Sequence, residues 1–123
     1  MSDNTFKTDG TIDSFENQFP QRDYEIEFEA AEFTSVCPMT GQPDFGSLSI
    51  TYVPEARCIE LRSFKFYLHG FRDRGIFYED VVNTVLDDIV EAISPRSATV
   101  RGDFNRRGGI SARITASFSA GTD

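Results

Sequence analysis

The sequence predicts an α+β domain in the order strand, strand, helix, helix, strand, strand. Three observations predict it. Apolar and polar residues alternate in two stretches before residue 60, two apolar stripes at helical spacing fill the middle, and alternation returns in two stretches after Pro95. Two hairpins around a helical pair make an antiparallel sheet with two helices on one face.

Each element follows from local chemistry. Residues 1–22 are polar with little periodicity and read as an N-terminal arm, partly disordered or draped on a neighbour, with Phe15 and Phe19 as anchors. In the first strand Tyr24, Ile26 and Phe28 alternate with Glu25, Glu27 and Glu29, which leaves one wet, acidic face. Cys37-Pro38-Met39-Thr40-Gly41-Gln42-Pro43-Asp44-Phe45 then forms a loop shaped by two prolines and a glycine. Leu48, Ile50 and Tyr52 mark the second strand, which Pro54 interrupts and Cys58-Ile59-Glu60 resumes. Leu61, Phe64, Tyr67, Leu68 and Phe71 recur at helical spacing, and Gly75 is a natural stop for that helix. Val82, Val85, Leu86, Ile89, Val90 and Ile93 give a second stripe, with Glu79 and Asp80 in the first turn, where carboxylates suit the helix dipole. Strands around Ala98–Phe104 and Ile110–Phe118 finish the domain, joined by a hairpin loop over Asn105–Gly109. The expected organisation is an arm over 1–22, one domain over 23–119 and a tail over 120–123.

Bulk properties narrow the function. A chain of 123 residues, 39% hydrophobic with 12 Phe and no Trp, suits one small soluble domain. No apolar stretch is long enough to span a bilayer, and Met1–Phe19 carries no signal-peptide core. With Cys37 and Cys58 read as free thiols, this places the protein in the cytoplasm. One His and two separated Cys give no zinc-ligand spacing, so no metal is expected. A net charge of -8 argues against direct nucleic-acid binding. The cations nevertheless cluster, as Arg62, Lys65, Arg72 and Arg74 and as Arg101, Arg106, Arg107 and Arg113. Such clusters either pair with nearby acids or hold one anionic ligand. Exposed sheet edges invite pairing with another chain, so oligomerisation is expected.

Several residues can carry chemistry. Cys37 is either a small core residue or a nucleophile, and Asp44, seven residues on, can be brought back toward it by the loop. Glu79 either acts through the helix dipole or accepts two N–H donors from a purine-like ring edge, with Phe77 or Tyr78 packing on the ring. Arg62 and Lys65 lie on one side of a helix start, where they form a solvated basic face or grip a phosphate.

Together these segments resemble the 7-cyano-7-deazaguanine reductases. Cys37–Phe45 is similar to their nucleophile loop, and Glu60-Leu61-Arg62-Ser63-Phe64-Lys65 to their NADPH-associated motif, Glu-x-Lys-Ser-x-Lys. Phe77-Tyr78-Glu79 and Phe104–Gly109 fall where later family motifs fall. Four motifs in order, within a resemblance from about Phe15 to Phe118, are far more specific than any one of them. The resemblance implies the tunnelling fold, two stacked pentameric rings with sites between subunits, and a small-molecule substrate. It implies reduction of a nitrile to an amine by NADPH in queuosine biosynthesis, a tRNA-modification pathway. Cys37 would form a covalent thioimide and Asp44 would move protons. Glu79, with Tyr78, Phe77 and Glu60, would bind the deazaguanine. Arg62, Ser63, Lys65 and Arg107 would hold the NADPH phosphates.

Two positions depart from the pattern. Arg62 replaces the motif Lys, keeping charge but not geometry. Tyr78 stands where His is usual, and a phenol cannot act as an imidazole near neutral pH. Competing readings are an archaeal-type amidinotransferase, which uses the same thioimide without NADPH, and a non-catalytic purine-binding ring.

Overall fold

The computed structural model describes residues 10–121, with Arg107 placed by its backbone alone. Its elements are β1 (Ser14–Glu16), β2 (Ile26–Val36), β3 (Pro43–Val53), β4 (Arg57–Ile59), α1 (Leu61–His69), α2 (Tyr78–Ile93), β5 (Ser97–Arg107) and β6 (Ile110–Ser119). The main sheet is antiparallel in the order β2-β3-β5-β6, and β1 with β4 forms a separate two-stranded ribbon.

The predicted alternation holds because one sheet face is buried. Leu48, Ile50 and Tyr52 of β3 and Ala98, Val100 and Phe104 of β5 point into the core. There they meet Val81, Val82, Val85, Ile89 and Ile93 of α2 and Phe64 of α1. The other face carries polar pairs such as Arg113 Nε with Asp103 Oδ1 at 2.7 Å. Strands β2 and β6 are the edges of this sheet, and no residue of β6 is fully buried. Among the described residues no helix is long and apolar enough to cross a membrane.

Four expectations change. Part of the supposed arm is a strand, since β1 pairs with β4 of its own chain through Phe15 opposite Cys58. Its anchor is not Phe15 or Phe19, which stay 49% and 51% exposed, but buried Asn17. The Asn17 N–H donates to Ala56 O at 2.9 Å and its Nδ2 to Glu55 O at 2.8 Å, while its Oδ1 accepts from Tyr24 at 2.6 Å. Residues 1–9 of the expected arm lie outside the described residues, as do 122–123 of the tail.

Second, α1 stops at His69 rather than near Gly75. The Gly70 N–H closes on Tyr67 O, and single turns follow, Phe71 N–H to Leu68 O and Arg72 N–H to His69 O. These turns keep Phe71 on the apolar stripe, against Phe33 and Tyr67. Gly75 instead makes a parallel bridge with Val36. Third, the β5–β6 connection is tighter than a five-residue loop. Strand β5 runs to Arg107, and the turn is Gly108 and Gly109 alone, both at positive φ (59° and 82°) as a two-residue turn demands. Fourth, β4 does not resume the second strand but turns away to pair with β1.

Two glycines shape what lies under α2. A Cβ on Gly46 would sit 2.4 Å from Asp103 O, and one on Gly102 would sit 2.6 Å from Phe104 Cε2. Both close contacts are with β5 atoms around Phe104, so the absence of side chains leaves its ring room beside the sheet.

Candidate active site

Cys37 follows the last residue of β2 and begins a reverse loop. Its N–H donates to Gln42 O at 2.8 Å and its C=O accepts from Gly41 at 2.8 Å, with Gly41 at φ 74°. Thr40 caps this loop and accepts from the Gln42 N–H at 3.2 Å. The Thr40 hydroxyl also donates to the Cys37 sulfur, and this is the largest reason that the thiol titrates below its ordinary range. The N–H groups of Met39 and Thr40 add to the effect, while partial burial and the Asp44 charge oppose it. Hydrogen bonds to sulfur favour the thiolate, which is the nucleophilic form.

Asp44 lies on β3, directly opposite Ser35 of β2, and is 5% exposed. Its carboxylate accepts from the Tyr78 hydroxyl, Oη to Oδ1, at 3.0 Å. Tyr78 is fixed in turn by Phe104, whose ring stacks on it at 4.0 Å and 6°. This is the ring that Gly46 and Gly102 accommodate. The chain entering α2 is stapled beside the cysteine loop, with Val36 N–H to Arg74 O and Ile76 N–H to Val36 O both at 3.0 Å. That staple places Phe77, Tyr78 and Glu79 next to Cys37 and Asp44. Phe77 and Glu79 are exposed there, so a ring and a carboxylate are available to a ligand. The fold therefore gathers Cys37, Asp44, Phe77, Tyr78 and Glu79 at one end of the sheet.

Glu60 lies toward the other end, at the start of α1. Glu60 and Leu61 border the same cavity as Ile26 and Phe28, near the start of β2. From Phe28 to Cys37 is nine residues, and at about 3.3 Å each that is roughly 30 Å. Within one chain Glu60 is therefore not brought to Cys37, while Lys65, further along α1, borders a groove that runs beside β2 from Phe28 to Thr34.

The local roles of Glu60 and Ser63 also differ from expectation. The Glu60 carboxylate is the N-cap of α1 and accepts from Ser63 N–H at 2.7 Å and Arg62 N–H at 3.0 Å. Ser63 is corrected as a phosphate ligand, because it is fully buried and its hydroxyl is used twice. It donates to Glu60 O at 2.8 Å and accepts from Asp13 N–H at 2.8 Å, which ties the ribbon to the helix. Arg62 and Lys65 are exposed, and Lys65, His69 and Arg72 border a groove of about 280 Å³ between α1 and β2. Lys65 and Arg72 share this groove with Glu29 and Glu32 of β2 and with apolar Leu61, Phe64 and Leu68, so its charges are balanced. The side chain of Arg107 lies outside the described residues.

Sequence reasoning missed two residues of the cluster. Thr40 lies inside the quoted loop, and its signal was a hydroxyl three residues after the thiol. Ser35 is fully buried, and its signal was parity, since Phe33, Ser35 and Cys37 share one face of β2.

Comparison with known proteins decides the family. Residues 43–122 match the model for QueF-like proteins. The NADPH-dependent 7-cyano-7-deazaguanine reductase of Chlorobaculum parvum is 57% identical over 109 residues, covering 89% of this chain and 94% of that protein. The reductase of Chlorobaculum tepidum is 54% identical, covering 88% and 92%.

The chain belongs to the 7-cyano-7-deazaguanine reductase family.

The fold agrees with it. The apo archaeosine synthase QueF-Like superimposes with a TM-score of 0.69 over 82% of this chain and 96% of that one, at 22% identity, so this likeness is one of fold. It is the tunnelling architecture expected from the resemblance. Tyr78, at the position where the resemblance leads one to expect His, bonds Asp44. One consequence is testable. Thr40→Val removes the donor to sulfur while keeping shape, so the pH midpoint for alkylation of Cys37 by iodoacetamide moves upward. Peptide mapping separates Cys37 from buried Cys58. An unmoved midpoint counts against Thr40 as the cause of the lowered thiol.

Proposed function

We propose that this protein reduces the nitrile of 7-cyano-7-deazaguanine to a primary amine with NADPH, through a covalent thioimide on Cys37. The observation that carries this reading is the cluster of an activated thiol and a buried carboxylate, held 3.0 Å from a phenol. The names of the relatives supply the substrate and the cofactor.

Cys37 Sγ bonds to the nitrile carbon, and Asp44 passes the thiol hydrogen to the nitrile nitrogen. Tyr78 holds the carboxylate for that transfer, with its ring fixed by Phe104. Exposed Glu79 accepts from the N–H edge of the base, and Phe77 covers the ring. Arg62, Lys65 and Arg107 would hold the phosphates of NADPH, with Glu60 and Ser63 fixing the helix that carries the first two. Bound NADPH supplies hydride, and a nitrile needs two hydrides to become an amine.

The groove that Lys65 borders runs along β2 from Phe28 to Thr34 and Cys37 is not part of its lining, and the resemblance implies sites between subunits. A second copy therefore completes each site. The open edges of β2 and β6 and the half-covered inner residues of β6 support assembly through the sheet; the two stacked pentameric rings are what the resemblance implies. The free thiols support a cytoplasmic location.

The deciding experiment mixes the protein with 7-cyano-7-deazaguanine and NADPH. About two NADPH oxidised per nitrile, with amine product, is the expected result. A Cys37 adduct without NADPH oxidation would instead identify an amidinotransferase, and neither would point to a non-catalytic ring.

A further inference from the structure

Ser35 is completely buried, and its Oγ is the one buried side-chain nitrogen or oxygen without a hydrogen-bond partner among the described residues. An orphaned hydroxyl is costly, and an alanine would fill the same place without that cost. Its position is specific. Ser35 is paired directly with Asp44 across the β2–β3 ladder. Directly opposed residues share a face, with Cβ atoms about 4.5–5.5 Å apart. The ladder continues for one more pair, through Cys37 N–H to Gln42 O at 2.8 Å, so Cys37 falls on the same face as Ser35. Local backbone offers the hydroxyl little, because the N–H and C=O of Val36 are taken by Arg74 O and Ile76 N–H respectively.

We propose that Ser35 is a positioning residue for proton transfer, whose hydroxyl serves the Asp44 carboxyl group as that group exchanges its proton with the nitrile nitrogen. The inference rests on the reading of Asp44 as the proton carrier. In that step the S–H bond breaks, one π bond of C≡N is consumed, and S–C and N–H bonds form. Asp44 gains the thiol hydrogen and gives it up to nitrogen, so it alternates between carboxyl and carboxylate. At rest Ser35 Oγ makes no bond to Asp44; as the proton moves the hydroxyl turns to that group, accepting from the carboxyl and donating to the carboxylate. Tyr78 holds Oδ1 from the α2 side. A carboxylate has about four acceptor sites, so a donor from β2 can join Tyr78 and fix the plane of the group toward the nitrogen.

The test compares Ser35→Ala, Asp44→Asn and the double variant by the rate of adduct formation, measured by rapid quench and intact mass, together with Tm. Ser35→Ala is expected to slow adduct formation about 10–100-fold, the worth of one hydrogen bond to a charged group. Its Tm is expected to stay level or rise, because an orphaned hydroxyl has been removed. In the Asp44→Asn background the same substitution is expected to add nothing, since it acts through Asp44. A wild-type rate for Ser35→Ala overturns the proposal while leaving Asp44 in place. Equal slowing in both backgrounds with a lowered Tm overturns it in favour of a structural role. A wild-type rate for Asp44→Asn overturns the proton-carrier reading itself, and the inference with it.

Discussion

Cys37→Ala yields no mass adduct with 7-cyano-7-deazaguanine and no NADPH oxidation, a loss on the order of 10⁴-fold or more, as expected when a covalent nucleophile is removed. The fold should survive, because Cys37 lies outside the core and its loop is held by backbone bonds that do not involve sulfur. The variant also tests where the site is completed. If Lys65 reaches Cys37 only from another copy, Cys37→Ala and Lys65→Ala oligomers, each inactive or weak alone, regain activity after dissociation and joint reassembly. A site with sulfur from one parent and the lysine from the other forms with chance one half times one half. Activity should therefore return to roughly a quarter of wild type in a 1:1 mixture. No recovery in verified mixed oligomers would mean that each chain builds its own site, with Lys65 reaching toward Cys37 along the groove beside β2.

How the two motifs come together is not written in the sequence. The paired motifs were legible, and so were the strands, because burying one face of a sheet forces a period of two. Ribbon strand β1 was not, since it has three residues and is held by backbone pairing and the side chain of Asn17 rather than by an apolar face. Gly75 looked like a helix stop because glycine is permissive, but α1 ends where Gly70 folds back on Tyr67. Glu60 and Ser63 carried two meanings at once. A carboxylate three residues before a serine at a helix start can cap backbone or present polar groups to a ligand, and only coordinates reveal that both side chains face inward to the helix. Nothing in the linear order reveals that Cys37 and Glu60, separated by some twenty residues, lie toward opposite ends of a strand. The same holds for Ser35 and Asp44, nine positions apart and directly paired.

Asp44→Asn separates thiol reactivity from turnover. Asp44 receives the thiol hydrogen during addition, but if its charge were also what makes Cys37 reactive, the variant would be alkylated more slowly. The electrostatics run the other way, because the Asp44 charge raises the thiol pKa and Thr40 with the loop N–H groups lowers it. Neutralising Asp44 therefore moves the alkylation midpoint of Cys37 to lower pH, and reactivity toward iodoacetamide below that midpoint increases. Turnover should move in the opposite direction. Asn offers no proton to the nitrile nitrogen, so adduct formation and amine production fall on the order of 10²–10⁴-fold, the usual worth of a positioned general acid. Asn can still accept from Tyr78, so the stacked Tyr78–Phe104 pair and the melting temperature should change little. Parallel loss of alkylation and turnover would make Asp44 an activator of sulfur. A sulfur that stays fully reactive while the nitrile is no longer protonated would leave Asp44 as the proton carrier and Thr40 as the residue that prepares the nucleophile.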